Sequence, residues 1–292
     1  MKYIDQAHVQ KKMRGRLTKN HILKALFFLA TLFGLFVLAV LIYRVFTQGF
    51  GYLDWHFFTN YASRKPEEAG IKAAIVGTIW LMTVTAPVSL LLGVGTAIYL
   101  EEYAKKSRFT HFIQVNISNL AGVPSIVFGL LGLTIFVRWM DMGRSVLAGG
   151  LTMSLLILPI IVVAAQEAIR AVPKELREAS YGMGATKWQT VRRVVLPAAL
   201  PGILTGGILA LSRAIGETAP LLMIGALTFV AFLPNSLFSG FTVMPIQIFN
   251  WTSRPQEEFH YVAAAAIIVL LVMLFLMNSV AVYIRNKFEK RF

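Results

Sequence analysis

An all-α membrane protein with six transmembrane helices is the fold class that the sequence predicts, and three features predict it. Of 292 residues, 57% are hydrophobic and only 14% charged, more apolar surface than a soluble domain of that length can hide. The apolar residues fall in continuous runs long enough to cross a ~30 Å hydrocarbon core as helices rising ~1.5 Å per residue. Those runs lack the alternation of a membrane barrel, and only helices or closed barrels satisfy their backbone hydrogen bonds in lipid.

Residues 1–23 form a basic N-terminal segment, and the first span, 24–47, follows it without a small-residue cleavage site, so it reads as an uncleaved span and not a secretory signal. A loop at 48–70 separates it from the second span at 71–100. Further runs at 117–137, 146–169, 198–228 and 261–284 complete the six, with a short tail at 286–292. Spans two to five are rich in Gly and Pro, among them Pro87, Gly93, Pro124, Gly129, Pro159, Gly202 and Gly206. Small residues let helices approach closely in lipid, and a moving helix is the other use for such positions.

Lysine and arginine set the orientation. With the N-terminus in the cytoplasm, 20 of the 28 basic residues gather on that side: the N-terminal segment from Lys2 to Lys24, then Lys105, Lys106 and Arg108, the loop before span five, and the tail from Arg285 to Arg291. The chain is therefore expected to be multi-pass in the cell inner (plasma) membrane, with both termini cytoplasmic. The net charge of +14 sits in short clusters between apolar runs, which suits membrane topology and excludes a nucleic-acid-binding face. Cysteine is absent and the five His residues are scattered, so no disulfide framework, metal site, cofactor or catalytic constellation is expected.

The loop of about 170–197, "AVPKELREASYGMGATKWQTVRRVVLP", carries too many local signals for a plain connector. Pro173 suits the first turn of a helix and Glu175 the positive N-terminal end of one. Gly184 breaks that helix; Thr186 with Gln189 matches a capping box, and Trp188, Val191, Val194 and Val195 give the next helix an apolar stripe. Pro197 and Pro201 are expected to limit its continuation into span five. By composition alone, two such helices suit an amphipathic segment lying on the membrane surface. Glu178, Ala179 and Ser180, three residues to Gly184, then nine to Val194 and on to Leu196 and Pro197, resemble the EAA loop of ABC-importer permeases, departing from it by Ser180 for Ala and Val194 for Ile. That resemblance implies a type I ABC-importer permease fold in which this loop is a coupling helix seated in a groove of an ATP-binding subunit, with Glu178, Ala179 and Gly184 docking. No Gly-Lys dipeptide of a phosphate-cradling loop occurs, so ATP hydrolysis is expected from a partner and the chain is not expected to be an enzyme.

Arg213 and Glu217 interrupt span five. Counted from Ala198, Arg213 lies about 22 Å into the span, where each charge costs on the order of 2.5 to 3.5 kcal/mol. Their four-residue spacing puts both on one face of a continuous helix, which leaves two readings open: a mutual ion pair, or an anion site in a translocation path with Ser212 and Thr218 beside it. The runs "SRAIGETAPLL", "GVPSIVFGLLGL", "YGMGATKWQTVRRVVLPAALPGILTG" and "MPIQIFNW" resemble the PstA-type permeases of phosphate-uptake ABC transporters, over about residues 70–285. That resemblance implies a permease core at 71–285, phosphate as cargo, and a need for Arg213 and Glu217 in transport. It further implies four kinds of contact: a PstC-type second permease, PstB-type ATP-binding subunits, a PstS-type external phosphate-binding protein, and membrane lipid. The outer segment Phe229 to His260, with Asn235, Ser236, Gln247, Asn250, Trp251 and Arg254, suits contact with the external protein, and its aromatics suit a membrane-interface belt equally well, so no single residue is assigned to that contact. Permeases for sulfate, molybdate or phosphonate share the EAA loop, and a passive anion channel could also use an Arg-lined path.

Overall fold

The computed structural model describes residues 6–227 and 229–288, and every regular element among them is helical. The first helix, α1 (Gln6–Gly49), meets the chain mainly along α12 (Glu257–Phe288) and none of its most apolar window is buried, as expected of a helix solvated by lipid. A short helix, α2 (Trp55–Thr59), is capped by the Asp54 carboxylate, which accepts from Phe57 N at 2.8 Å.

The centre is built from α3 (Lys72–Ile98), α6 (Val146–Arg170) and α9 (Leu196–Gly216). Small residues permit that packing. A Cβ on Gly150 of α6 would stand 2.6 Å from Val84 of α3, and one on Gly202 of α9 2.7 Å from Cβ of Ala168. Hydroxyls bind the interface: Thr85 Oγ1 donates to the Gly150 carbonyl at 3.2 Å and Ser154 Oγ to that of Thr85 at 3.3 Å. Leu81, Val84, Ile157, Ile161, Ala210 and Phe241 fill the space between. Toward one end Ile169, Val172, Val195 and Ile203 form a second cluster beneath α7 (Lys174–Gly182) and α8 (Lys187–Thr190). Toward the other, Phe57, Trp251, Phe259 and Val262 join α2, α11 (Met244–Thr252) and α12. At that far end the α6 N-terminus is capped by the Ser145 hydroxyl, which accepts from Ala148 N. The carbonyls of Ser239 and Leu237 accept from Val146 N and Leu147 N, at 3.1 and 2.8 Å.

Two expected spans are broken. Residues 117–137 were expected to be one helix; instead α4 (Arg108–Leu120) ends before Gly122, and α5 (Ser125–Gly132, continued as a π-helical stretch Leu133–Trp139) leaves at 104° to it. Pro124, at φ −55° and ψ 136°, supplies no N–H and turns the chain into α5. Among the described residues, five helices are long and apolar enough to span, or up to six if the bent pair counts as one. The fifth span also differs from 198–228: helix runs without interruption from Lys187, through a π-helical stretch Val191–Val195, to Gly216. Pro197 and Pro201 do not stop it. The π stretch closes i→i−5 bonds, with Leu196 N reaching the Val191 carbonyl, and this wider winding accommodates the ring of Pro197. The expected start of the sixth span at residue 261 moves to Glu257, and α1 begins well before residue 24. The basic residues Lys2, Lys290 and Arg291 lie outside the described residues.

Candidate functional site

The helix that carries Arg213 ends three residues later, and Pro220 explains where. Proline cannot donate to the carbonyl of Gly216 four residues back, and its fixed φ suits the first turn of a new helix. Helix α9 therefore stops at Gly216, Glu217 takes extended angles (φ −81°, ψ 128°), and α10 (Ala219–Ile224) starts afresh after Thr218. The continuous helix face expected to hold Arg213 and Glu217 together is absent, and no ion pair joins them.

Arg213 is exposed in the last turn of α9, where the free carbonyls of a helix C-terminus favour a cation, and Glu217 and Thr218 are half-buried. Neither the Arg213 nor the Glu217 side chain has a hydrogen-bonding or ionic partner among the described residues. Ser212 does: its hydroxyl lies 2.7 Å from the Ile208 carbonyl and 2.6 Å from Oδ1 of Asn278 on α12. Asn278 went unnoticed in the sequence, although an amide within the apolar run "FLMNSVAV" is the intramembrane polar signal that marks a site. The second interrupted helix reaches the same place. A Cβ on Gly129 of α5 would stand 2.6 Å from Cα of Pro220 and 2.8 Å from Cβ of Met223, so α5 packs directly on α10. Two broken helices thus pack on each other, α5 against the α10 that follows the break after Arg213, the kind of backbone discontinuity that lines a path through a membrane.

The loop behaves as its local signals direct. Helix α7 begins at Lys174, with Pro173 as its N-cap and not within its first turn. Gly184 has φ +80°, and its N–H donates to the Tyr181 carbonyl at 2.9 Å, giving the reversal that L side chains rarely adopt. The capping box is complete: Thr186 N donates to Oε1 of Gln189 at 2.8 Å and Gln189 N to Oγ1 of Thr186 at 3.3 Å. Ser180, where the EAA pattern has Ala, places its hydroxyl 2.9 Å from that of Thr190 and ties α7 to α8. Val191 and Val195 are buried and Val194 is half-buried, but Trp188 points outward. With Met183 at 90% exposure, Trp188 at 58% and Tyr181 at 42%, the loop offers an apolar surface beside exposed Glu178, Ala179 and Gly184. Such a surface on a rigid helix pair fits a groove.

The sequence did not reveal what holds the loop to the spans. Arg177 donates through Nε and Nη2 to Oε1 of Glu102, at 3.1 and 3.0 Å, and to the carbonyls of Val172 and Ile169, at 2.6 and 2.8 Å. Arg170 and Gln166 of α6 both reach Oε1 of Glu101, at 2.7 and 2.8 Å. A cleft of about 1160 Å³ opens beside these groups, with Lys106, Arg108 and Lys174 on its walls.

In the segment from 229 to 260, Gln247 and Trp251 are buried and so present no side chain to an external protein. Asn235 and Ser236 are exposed, and Arg254 lies 4.2 Å from the ring of Phe259. Burial, and after it the charge of Arg64, hold the Arg254 pKa below its ordinary value.

A family model described as the binding-protein-dependent transport system inner membrane component matches residues 89–290. The chain is 36% identical over 192 residues to the probable ABC transporter permease protein YqgI of Bacillus subtilis, covering 66% of this chain and 65% of that one, just under two thirds of its length. It is 33% identical over 274 residues to the phosphate transport system permease protein PstA of Yersinia pestis, covering 93% and 92%. Among solved structures, a chain of a bacterial ABC transporter involved in the import of the acidic polysaccharide alginate superposes with a TM-score of 0.68 at 15% identity, covering 96% of this chain and 100% of that one. At such identity the likeness speaks to the fold alone.

Proposed function

Because the chain belongs to the family of binding-protein-dependent transport system inner membrane components, we propose that it is the PstA-type permease subunit of an ATP-driven phosphate importer. One observation carries the cargo assignment: the Arg213 guanidinium is exposed and has no ionic or side-chain hydrogen-bonding partner among the described residues, in the last turn of a helix that stops within an apolar run, and relatives are named for phosphate transport. Guanidinium presents a planar fork of donors to phosphate oxygens and stays charged at any physiological pH. A charge in that position is tolerable where it faces a water-filled path shared with a second permease, and very costly against lipid.

In this reading both termini lie in the cytoplasm, and α7 and α8 project there as the coupling helices. Glu178, Ala179 and the turn at Gly184 dock on PstB-type ATP-binding subunits, while a PstS-type binding protein delivers phosphate at the opposite end. The chain contributes no ATP site. Closure of the ATP-binding subunits moves the loop, the loop moves the spans, and the path past Arg213 opens alternately to either side. Glu217, freed from the helix by Pro220, is near enough in sequence to orient Arg213 or to accept from a protonated phosphate oxygen. Ser212, held by Asn278, and Thr218 add hydroxyls to the same stretch.

The test is ATP-driven uptake in vesicles that contain this chain with its partner permease, ATP-binding subunits and external binding protein. Phosphate uptake that sulfate does not compete away is the expected outcome. An assembled complex that hydrolyses ATP and moves sulfate, molybdate or phosphonate but not phosphate would replace the cargo and leave the importer.

A further inference from the structure

We propose that the end of α3 receives the motion of the coupling loop, through a π-helical turn whose three successive side chains each hold a different element. The turn is Tyr99–Tyr103. Glu101 accepts from Arg170 and Gln166 of α6. Glu102 accepts from Arg177 of α7. Tyr103 lies under Lys187 of α8, whose ammonium is 5.0 Å from the ring centroid. The inference rests on reading α7 and α8 as the part that docks an ATPase.

Burial separates this joint from an ordinary surface ion pair. The side chains of Arg177 and Glu102 are only 17% and 8% exposed, whereas Lys65 and Glu68, a salt bridge within the segment that connects α2 to α3, are 75% and 59% exposed. An exposed pair contributes little and exchanges freely with water, but removing one member of a buried pair strands the other, so the geometry persists under load. Arg177 also takes two carbonyls at the C-terminal end of α6, where a cation is favoured, and so grips α6 and α3 at once. A π turn is the apt winding for the receiver: its longer hydrogen-bonded ring is an irregularity that frequently marks functional positions in helices. Leu100 within the turn is buried, so movement of the turn is felt by the packed interior and not only at its surface. From there α3 leads through Thr85 and Ser89 into its tight contact with α6. Arg177, Glu102, Lys187 and Tyr103 are thus positioning residues: they touch neither phosphate nor nucleotide and act through the helices they join.

The experiment uses the complete importer in proteoliposomes, with spin labels on Lys105→Cys and Gly182→Cys. The sequence has no cysteine, Lys105 is exposed, and a side chain at Gly182 meets nothing within 4 Å. With Glu102 intact, the label-to-label distance stays single and narrow with and without ATP. In Glu102→Gln, ATP broadens it, and phosphate moved per ATP hydrolysed falls about tenfold, a typical size for coupling between sites, while hydrolysis continues. Lys187→Met, which alters an exposed side chain, lowers the same ratio by a smaller factor and serves as the decisive variant if Glu102→Gln fails to assemble. A merely structural joint would lower assembly, hydrolysis and transport together. An unchanged ratio with a narrow distance in whichever of these variants assembles would overturn the proposal. A wild-type complex that moves no phosphate would reject the cargo reading instead, and the label distances would still decide whether the joint transmits.

Discussion

The coupling loop and the break in α9 are both short, both contain Gly and Pro, and yet they are finished differently. In the loop, the polar groups that set its shape have partners within it: Thr186 and Gln189 bond reciprocally, Ser180 meets Thr190, and Gly184 closes onto Tyr181. At the break, the side chains of Arg213 and Glu217 reach no partner among the described residues, whereas that of Ser212 is tied down by a helix distant in sequence. On the proposed function, a loop that transmits force is completed internally, whereas a site that accepts and releases an anion keeps its charged groups uncommitted, because a charge already paired would have to break that pair at every turnover.

The largest expected effect tests the open half of that contrast. Arg213→Ala removes the guanidinium proposed to meet the anion and is expected to lower phosphate uptake about a hundredfold, the factor matching the ~3 kcal/mol of a strong charge-assisted contact. Assembly and ATP hydrolysis should persist, as read by co-purification and phosphate release. Uptake at the wild-type rate would show that Arg213 is structural and that the site lies elsewhere.

The closed half is tested at Gly184. Proline there cannot adopt φ +80° and removes the N–H that reaches Tyr181. Gly184→Pro is expected to reduce ATP-coupled uptake about tenfold, within the usual size of a coupling free energy, by misdirecting α8 against the ATP-binding subunits. The comparison to make is hydrolysis stimulated by the loaded binding protein, which should fall with transport. Full stimulation in this variant would remove the turn from the coupling route.

What was legible in the sequence follows the same division. Capping boxes, left-handed glycines and hydropathic runs are signals spread over a few neighbouring residues, so α7, α8 and four of the spans were readable. The break at Pro220 was written in the sequence as well. Hydropathy over 198–228 masked it, because an apolar run scores alike whether the helix continues or stops, and the same happened at Pro124. The joints that hold the site and loop in place were not readable, since Arg177 meets Glu102 across 75 residues and Ser212 meets Asn278 across 66. Single-chain reasoning has no means of pairing residues at such separations.

Pro220→Ala tests whether the interruption itself matters. Alanine restores the missing donor to the Gly216 carbonyl, so α9 and α10 can fuse and bring Glu217 onto the face of Arg213. Uptake is then expected to fall about fivefold through premature pairing of the two charges, a change of the size that residues outside a site exert on coupling. Adding Glu217→Gln to Pro220→Ala should recover part of it, because the new pair cannot form. If the double variant transports no better than Pro220→Ala, the proline acts through its packing on Gly129 and not by keeping the charges apart.

The smallest effect concerns Asn278, and it asks how far the open site depends on a fixed neighbour. Asn278 holds the Ser212 hydroxyl at 2.6 Å, one residue before Arg213, and joins α12 to α9. Replacing it by leucine removes the amide while keeping apolar bulk, and hydrogen bonds between helices in lipid average ~0.6 kcal/mol, so Asn278→Leu is expected to lower uptake only about threefold. The informative quantity is which parameter moves. If Asn278 merely joins two helices, assembly yield falls and the substrate dependence of uptake is unchanged. If it orients the last turn of α9, the external phosphate concentration for half-maximal uptake stays with the binding protein while the maximal rate falls, because Arg213 meets phosphate only after release from that protein.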